Sequence, residues 1–491
     1  MMKTILRFFS VACALGSVLT AQAQTLNVNV GNITYAHSAA NAGDMAFTGG
    51  TQLTIEGRTY NVSDISKIEV NANTVADNTV SVVYSGTSAN VTIAGNVAKY
   101  MTATVSGANV SITQSEDLQE EVTYTLSGTS TAGSFYMDGS YKANFVLNNL
   151  SLTSTSGAAI DIEDGKALTV SLVGTNTLAD VAGGSHNACF YLNGHPTFSG
   201  TGTLNVQGNT KHAISVDEHM VMTSGTINVT GAASDGLHLS EYFQMDGGTI
   251  NVTSMGDGID LGFKGESKGT KDQYTNNGFV FLNGGSITIN ATGDASKGFK
   301  TDSTVVVAGT TLVATVSGAS YYDSTEADIS SSSALKTGGA FTMSSGTVTL
   351  TATGAGGKGL NATGAITQSG GTLTVVTTGA RYKYNSALDS KPQAVKSDGN
   401  ISITGGTALA AVADAKATTF KTDYNFVVNG AKLMGIGGKT IAPSTGSQNY
   451  NTYTSQVATG GTTFTKDGVS FALPTGYSNT SAFVIVSTPS M

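Results

Sequence analysis

The chain has 491 residues, 40% apolar and only 12% charged, with 61 glycines, five prolines and a formal net charge of −9. That apolar content excludes a disordered tail, and the negative balance argues against a nucleic-acid binder. Abundant Gly, Ser, Thr and Asn without a long amphipathic helical pattern predict an all-β protein of short strands and tight turns.

Residues 1–23 place Lys3 and Arg7 before an apolar run reaching Leu19 and end on Ala21-Gln22-Ala23, the small-x-small pattern read by a signal peptidase. The expectation is an exported chain starting near Gln24, extracellular, at the cell surface or periplasmic. No later apolar stretch reaches the ~20 residues of a spanning helix, so no transmembrane segment is predicted. Cleavage removes Cys13 and leaves Cys189 with no intrachain disulfide partner; in "NACFYLNG" it alternates with apolar residues, the pattern of a small buried thiol.

Residues 24–118 alternate as strands do ("TLNVNVGNITY", "NTVSVVYSG", "ANVSITQS") but share no period, and read as an N-terminal β module or cap. From 119 to 440 the chain repeats. "TGTLNV" (201), "SGTINV" (224), "GGTINV" (247), "GGSITI" (284), "AGTTLV" (308), "SGTVTL" (345), "GGTLTV" (370) and "GGTALA" (405) are separated by 23, 23, 37, 24, 37, 25 and 35 residues. The basic unit is therefore about 23–25 residues, with three insertions of about a dozen. One such unit suits one coil of three short strands, and stacked coils give a right-handed parallel β-helix. Residues 441–491 read as a C-terminal β cap, because an open end would leave strand edges unpaired.

Each coil also carries a second strand: "HAISV" (212), "DGLHL" (235), "DGIDL" (257), "KGFKT" (297), "ALKTG" (334), "KGLNA" (358), "AVKSD" (394) and "TFKTD" (419). Alternation turns Ile214, Leu237, Ile259, Phe299, Leu335, Leu360, Val395 and Phe420 inward. The next position then forms an outward column: Ser215, His238, Asp260, Lys300, Lys336, Asn361, Lys396, Lys421. A line of lysines suits a polyanion, although any outward column must be polar. Lys297 and Lys358, two residues before the inward Phe299 and Leu360, would broaden it.

Two insertions, "GASYYDSTEADISSSS" (318–333) and "GARYKYNSALDSKPQ" (379–393), leave the same corner just before Lys336 and Lys396, two coils apart. Tyr321, Tyr322, Tyr382 and Tyr384 can offer ring faces to sugars, with Arg381 beside them; the same tyrosines can also pack down as lids. The third insertion, 262–277, leaves another corner. The absence of tryptophan counts against a flat indole platform.

The phrase "LTVSLVGTNTLAD" (168–180), followed by the ordered repeats and lysine echoes across residues 120–440, resembles the exported bacterial carbohydrate-binding family of right-handed β-helices akin to pectate lyases. The resemblance implies a calcium-containing protein that binds acidic pectic chains or cellulose without established cleavage. The family's Lys-Asp turn is replaced here by "SVDEH" (215–219) and "LSEYF" (239–243), so its metal positions do not transfer. Calcium takes six to eight oxygens, and carboxylates on adjacent coils lie ~5 Å apart. On that ground Asp217, Glu218, Asp235, Glu241, Asp257 and Asp260 are the metal candidates, while Asp-Gly is equally a turn dipeptide.

The favoured reading is a noncatalytic polysaccharide binder. The alternatives are a structural or adhesive surface protein and a calcium-dependent polysaccharide lyase, which needs a base beside the metal. The histidines show no H-E-x-x-H or comparable metal spacing, and there is no nucleophile elbow or phosphate loop.

Overall fold

A computed structural model of the chain describes residues 24–39, 41–43, 45–264 and 276–491. The expected signal segment and residues 265–275 of the third insertion lie outside the described residues.

Alternating side chains set the architecture. Strands of 3 to 14 residues pair in parallel with counterparts one repeat away, in three ladders. In the first, Ala188–Gly200, His212–Val216, Leu237–Ser240 and Ile259–Gly262 follow one another, and the run continues through Lys297–Thr301, Ser333–Thr337, Lys358–Ala362 and Gln393–Ser397 to Thr418–Lys421. The second runs from Met220–Met222 through Tyr242–Met245 and Phe279–Leu282 to Phe426–Val428. The third runs from Thr203–Gly208 through Thr226–Ala232 and Thr249–Ser254 to Lys432–Gly437.

All three ladders turn alternate residues toward one interior. Ile214, Leu237, Ile259, Phe299, Leu335, Leu360, Val395 and Phe420 are at most 1% exposed and share a core with Ile227, Ile250 and Ile287. Burying each such side chain contributes about 1.5–3 kcal/mol. Outside, the third ladder stacks its asparagines: Asn228 Nδ2 donates to Asn205 Oδ1 and Asn251 Nδ2 to Asn228 Oδ1, each at 2.9 Å. The turn before that ladder needs glycine. Gly248 and Gly285 have φ of +81° and +72°, and a Cβ on Gly285 would sit 2.6 Å from the Gly248 carbonyl oxygen of the preceding repeat.

The expectation of a right-handed parallel β-helix is corrected here. The chain is all-β, with one short helix, Gly95–Ala98, among the described residues, but its parallel strands close into a barrel-like wall around the core. The reason lies in the pairing. Most of the described strands join into one 38-stranded sheet, and strands from both ends continue it. Thr79–Ser85 pairs in parallel with Val122–Ser130, as does Ala108–Gln114 with Gly133–Asp138. At the other end Ser478–Ser487 runs antiparallel to Lys432–Gly437 and Tyr450–Thr459, and its Val484 shares a core with Met434 and Ile436.

No helix among the described residues is long and apolar enough to cross a membrane. Cys189 is free and buried, and burial pushes its thiol well above the ordinary range, as suits an inert core thiol.

Candidate functional site

The first ladder carries its charges on the face opposite the core. Its pairing places Ser215 beside His238, His238 beside Asp260, Asp260 beside Lys300 and Lys300 beside Lys336. Lys336 then neighbours Asn361, Asn361 neighbours Lys396, and Lys396 neighbours Lys421. The column is the one that alternation lays out.

Most of its lysines have an acidic neighbour. Lys300 Nζ meets Asp260 Oδ1 at 2.8 Å, Lys396 Nζ meets Asp398 Oδ1 at 2.8 Å, and Lys421 pairs with Asp423. The two pairs with exposed carboxylates, Lys396–Asp398 and Lys421–Asp423, contribute at most about 1 kcal/mol each. Lys336 makes no ion pair among the described residues.

Lys358 sits one column over, paired in register with Ser333 and Gln393. Its Nζ donates to Ser331 Oγ at 2.6 Å and to Ser390 Oγ at 3.2 Å, one hydroxyl from each insertion, and these hydroxyls meet each other at 3.0 Å. Burial, reinforced by Lys396, Lys336 and Lys297, pushes its amine down to about 8. This pin between the insertions is absent from the sequence pattern, because Ser331 and Ser390 come together only across two rungs.

The insertions fold as two small hairpins, Tyr321–Asp323 with Asp328–Ser330 and Tyr382–Lys383 with Asp389–Ser390. They lean on each other. The Tyr322 and Tyr384 rings stack with centroids 3.9 Å apart and planes 5° from parallel, and the Tyr322 N–H donates to Tyr382 Oη at 3.2 Å. Tyr321 and Tyr384 remain 40% and 50% exposed. Arg381 is turned to Asp389, and its backbone N–H donates to Asp414 Oδ2 at 3.2 Å. The two tyrosine-bearing hairpins are thus joined through Lys358, and Tyr382 and Arg381 serve the hairpins' own structure.

The six acidic candidates do not converge on one point. Asp217 Oδ2 accepts from Tyr191 Oη at 2.6 Å. Glu218 meets His195 and Lys264, and Glu241 meets His219 Nδ1 at 3.1 Å. Asp257 Oδ1 accepts from the Lys297 N–H at 2.6 Å, and burial pushes its carboxyl up to about 6. Asp235 and Asp260 flank His238 Nδ1 at 3.5 Å each, and Asp235 also faces His212 Nδ1 at 3.2 Å. Burial would raise Asp235, but His212, His238 and the Asp257 N–H outweigh it and hold the carboxyl low; Asp235 and Asp260 push His238 up to about 9. Nitrogen donors and ammonium groups occupy the positions where calcium needs a shell of oxygens, so this donor set does not suit that ion.

The histidines are what a reading of local spacing misses. His195 and His219 are 24 residues apart and His212 and Asp235 are 23 apart, each one repeat, so the ladders bring them together. The His195 and His219 rings stack at 4.7 Å and those of His212 and His238 at 4.3 Å. The repeat length itself was the signal.

Comparison with known proteins bears on this face. The family model described as carbohydrate-binding domain-containing protein matches residues 106–380, more than half of the chain; the match takes in Lys300 and Lys336 and ends before Lys396 and Lys421. A solved structure described as a polysaccharide lyase-like protein from C. thermocellum, in its gadolinium derivative, is 23% identical over 54% of this chain and 96% of that one, with a TM-score of 0.42. No curated protein matches the sequence. The chain belongs to the family of carbohydrate-binding domain-containing proteins.

Proposed function

We propose that the protein is a noncatalytic, exported binder of polysaccharide, and that its ligand is an acidic glycan of the pectic or plant cell-wall kind. The observation that carries this reading is the lysine ladder: Lys300, Lys336, Lys396 and Lys421 fall in register on one face, with two tyrosine-bearing hairpins pinned beside them. Rungs ~4.8 Å apart present ammonium groups at the scale of a saccharide repeat, and uronate carboxylates meet them as successive point charges. The exposed Tyr384 and Tyr321 rings supply apolar faces for sugar C–H groups.

Electrophoresis through gels containing polygalacturonate or a neutral glucan tests the reading. The protein should be retarded by the acidic polymer alone, and Lys336→Ala with Lys396→Ala should release it. Equal mobility in all gels would overturn the proposal. Ultraviolet absorbance from an unsaturated product would assign a lyase instead.

A further inference from the structure

Beside the lysine ladder lies a site of different chemistry. His212 is 3% exposed, yet its Nδ1 has no hydrogen-bond partner and points to Asp235 Oδ2 at 3.2 Å. His238 Nδ1, also buried and without a hydrogen bond, faces the same oxygen at 3.5 Å. These three donor atoms lie within 4.8 Å of one another. The other oxygen of Asp235 is fixed from outside: Oδ1 accepts from the Asp257 N–H at 2.8 Å and from Ser234 Oγ at 3.4 Å. Outer hydrogen bonds of this type aim a ligating oxygen. Asp260 repeats the arrangement, with Oδ1 held by Lys300 and Oδ2 3.5 Å from His238 Nδ1.

From this geometry we infer that His212, Asp235 and His238 form a binding site for a divalent transition metal of the zinc class, with the Asp260 side left for a fourth ligand. Ligand atoms around a tetrahedral ion with bonds of ~2.0–2.1 Å are spaced ~3.3 Å apart, which the two measured separations bracket. Two imidazoles and one or two carboxylates are the donors of zinc, cobalt or nickel, whereas calcium requires an oxygen shell. The ladder explains why this chain can build it: His212 and Asp235 are successive rungs of one column, and His238 stands three residues beyond Asp235 in the outward column that leads to Lys300. A bound dication would place positive charge two rungs from Lys300, beyond Asp260. The site would hold its ion whether or not the neighbouring face takes a glycan.

The full chain, stripped with chelator and titrated with Zn2+ against a chromophoric competitor, should take up one tight equivalent. Co2+ in its place should give the visible absorption of a tetrahedral centre. Asp235→Asn and His238→Asn should each weaken Zn2+ by more than the ~10–100-fold that loss of an outer partner costs. The His238 side chain is 42% exposed, so that variant should still fold, which its circular dichroism would verify. His195→Asn, in the neighbouring histidine pair, should leave the tight equivalent intact, and excess Ca2+ should not displace it. Uptake that survives both ligand substitutions, or that Ca2+ competes away, would overturn the assignment. Absence of uptake would overturn it too and leave these side chains as an ion-pair network only.

Discussion

Replacing Lys358 by methionine isolates the electrostatic cost of the loop pin. The amine stands between Ser331 and Ser390, within the field of Lys297, Lys336 and Lys396, and its folded pKa is about 8. An unfolded lysine titrates near ~10.4. Because the folded value is the lower one, the unfolded state binds more protons between these limits, so Lys358 makes stability rise as pH rises from about 8 to ~10.4. The gap corresponds to about 3 kcal/mol at ~1.4 kcal/mol per pH unit. Urea unfolding of the wild-type and Lys358→Met proteins from neutral to alkaline pH reads the difference directly, since other groups cancel between the two. The wild type should lose ground to the variant as pH falls across that window, by up to about 3 kcal/mol, and the two curves should run parallel above it. Parallel curves throughout, or a difference of opposite sign, would refute the placement of this amine among three other lysines.

Asn228→Ala removes both amide bonds of the stacked asparagines, whereas Asn251→Ala removes the one to Asn228; thermal or chemical unfolding should find the first costing about 2 kcal/mol and roughly twice the second. Tyr384→Ala should weaken binding to polygalacturonate several-fold, about 1 kcal/mol, with little change in Tm because the ring is half exposed. Phe299→Ala, at a fully buried position, should cost about 3–5 kcal/mol in the same unfolding assays.

Periodicity made much of this architecture legible. Once Ile214, Leu237, Ile259 and Phe299 are set to the interior, the order Asp260, Lys300, Lys336, Asn361, Lys396, Lys421 follows without freedom, because a strand has only two faces. The closure of the wall was not legible. Residues 24–118 share no period with the repeats, yet Thr79–Ser85 and Ala108–Gln114 pair with them, since backbone hydrogen bonding is indifferent to the side-chain pattern that reveals repeats. The lysines and tyrosines stood out in the sequence because each lies in a repeated phrase or an insertion. The repeat already set His238 beside Asp260, whereas His212 was not singled out, because metal motifs are sought within one helix or loop and here the side chains are spaced by the repeat. The acidic residues face His195, His219, His238 and Lys300 across the ladder; the repeat had aligned His238 and Lys300 with Asp260, but not His195 and His219 with Glu218 and Glu241.

The most direct test of the polysaccharide-binding account is a crystal structure with an oligogalacturonide. The account predicts the chain lying along the first ladder, its carboxylates on Lys336 and Lys396 and a sugar ring against Tyr384. Ordered oligosaccharide on the asparagine face of the third ladder, with the lysine face bare, would contradict it.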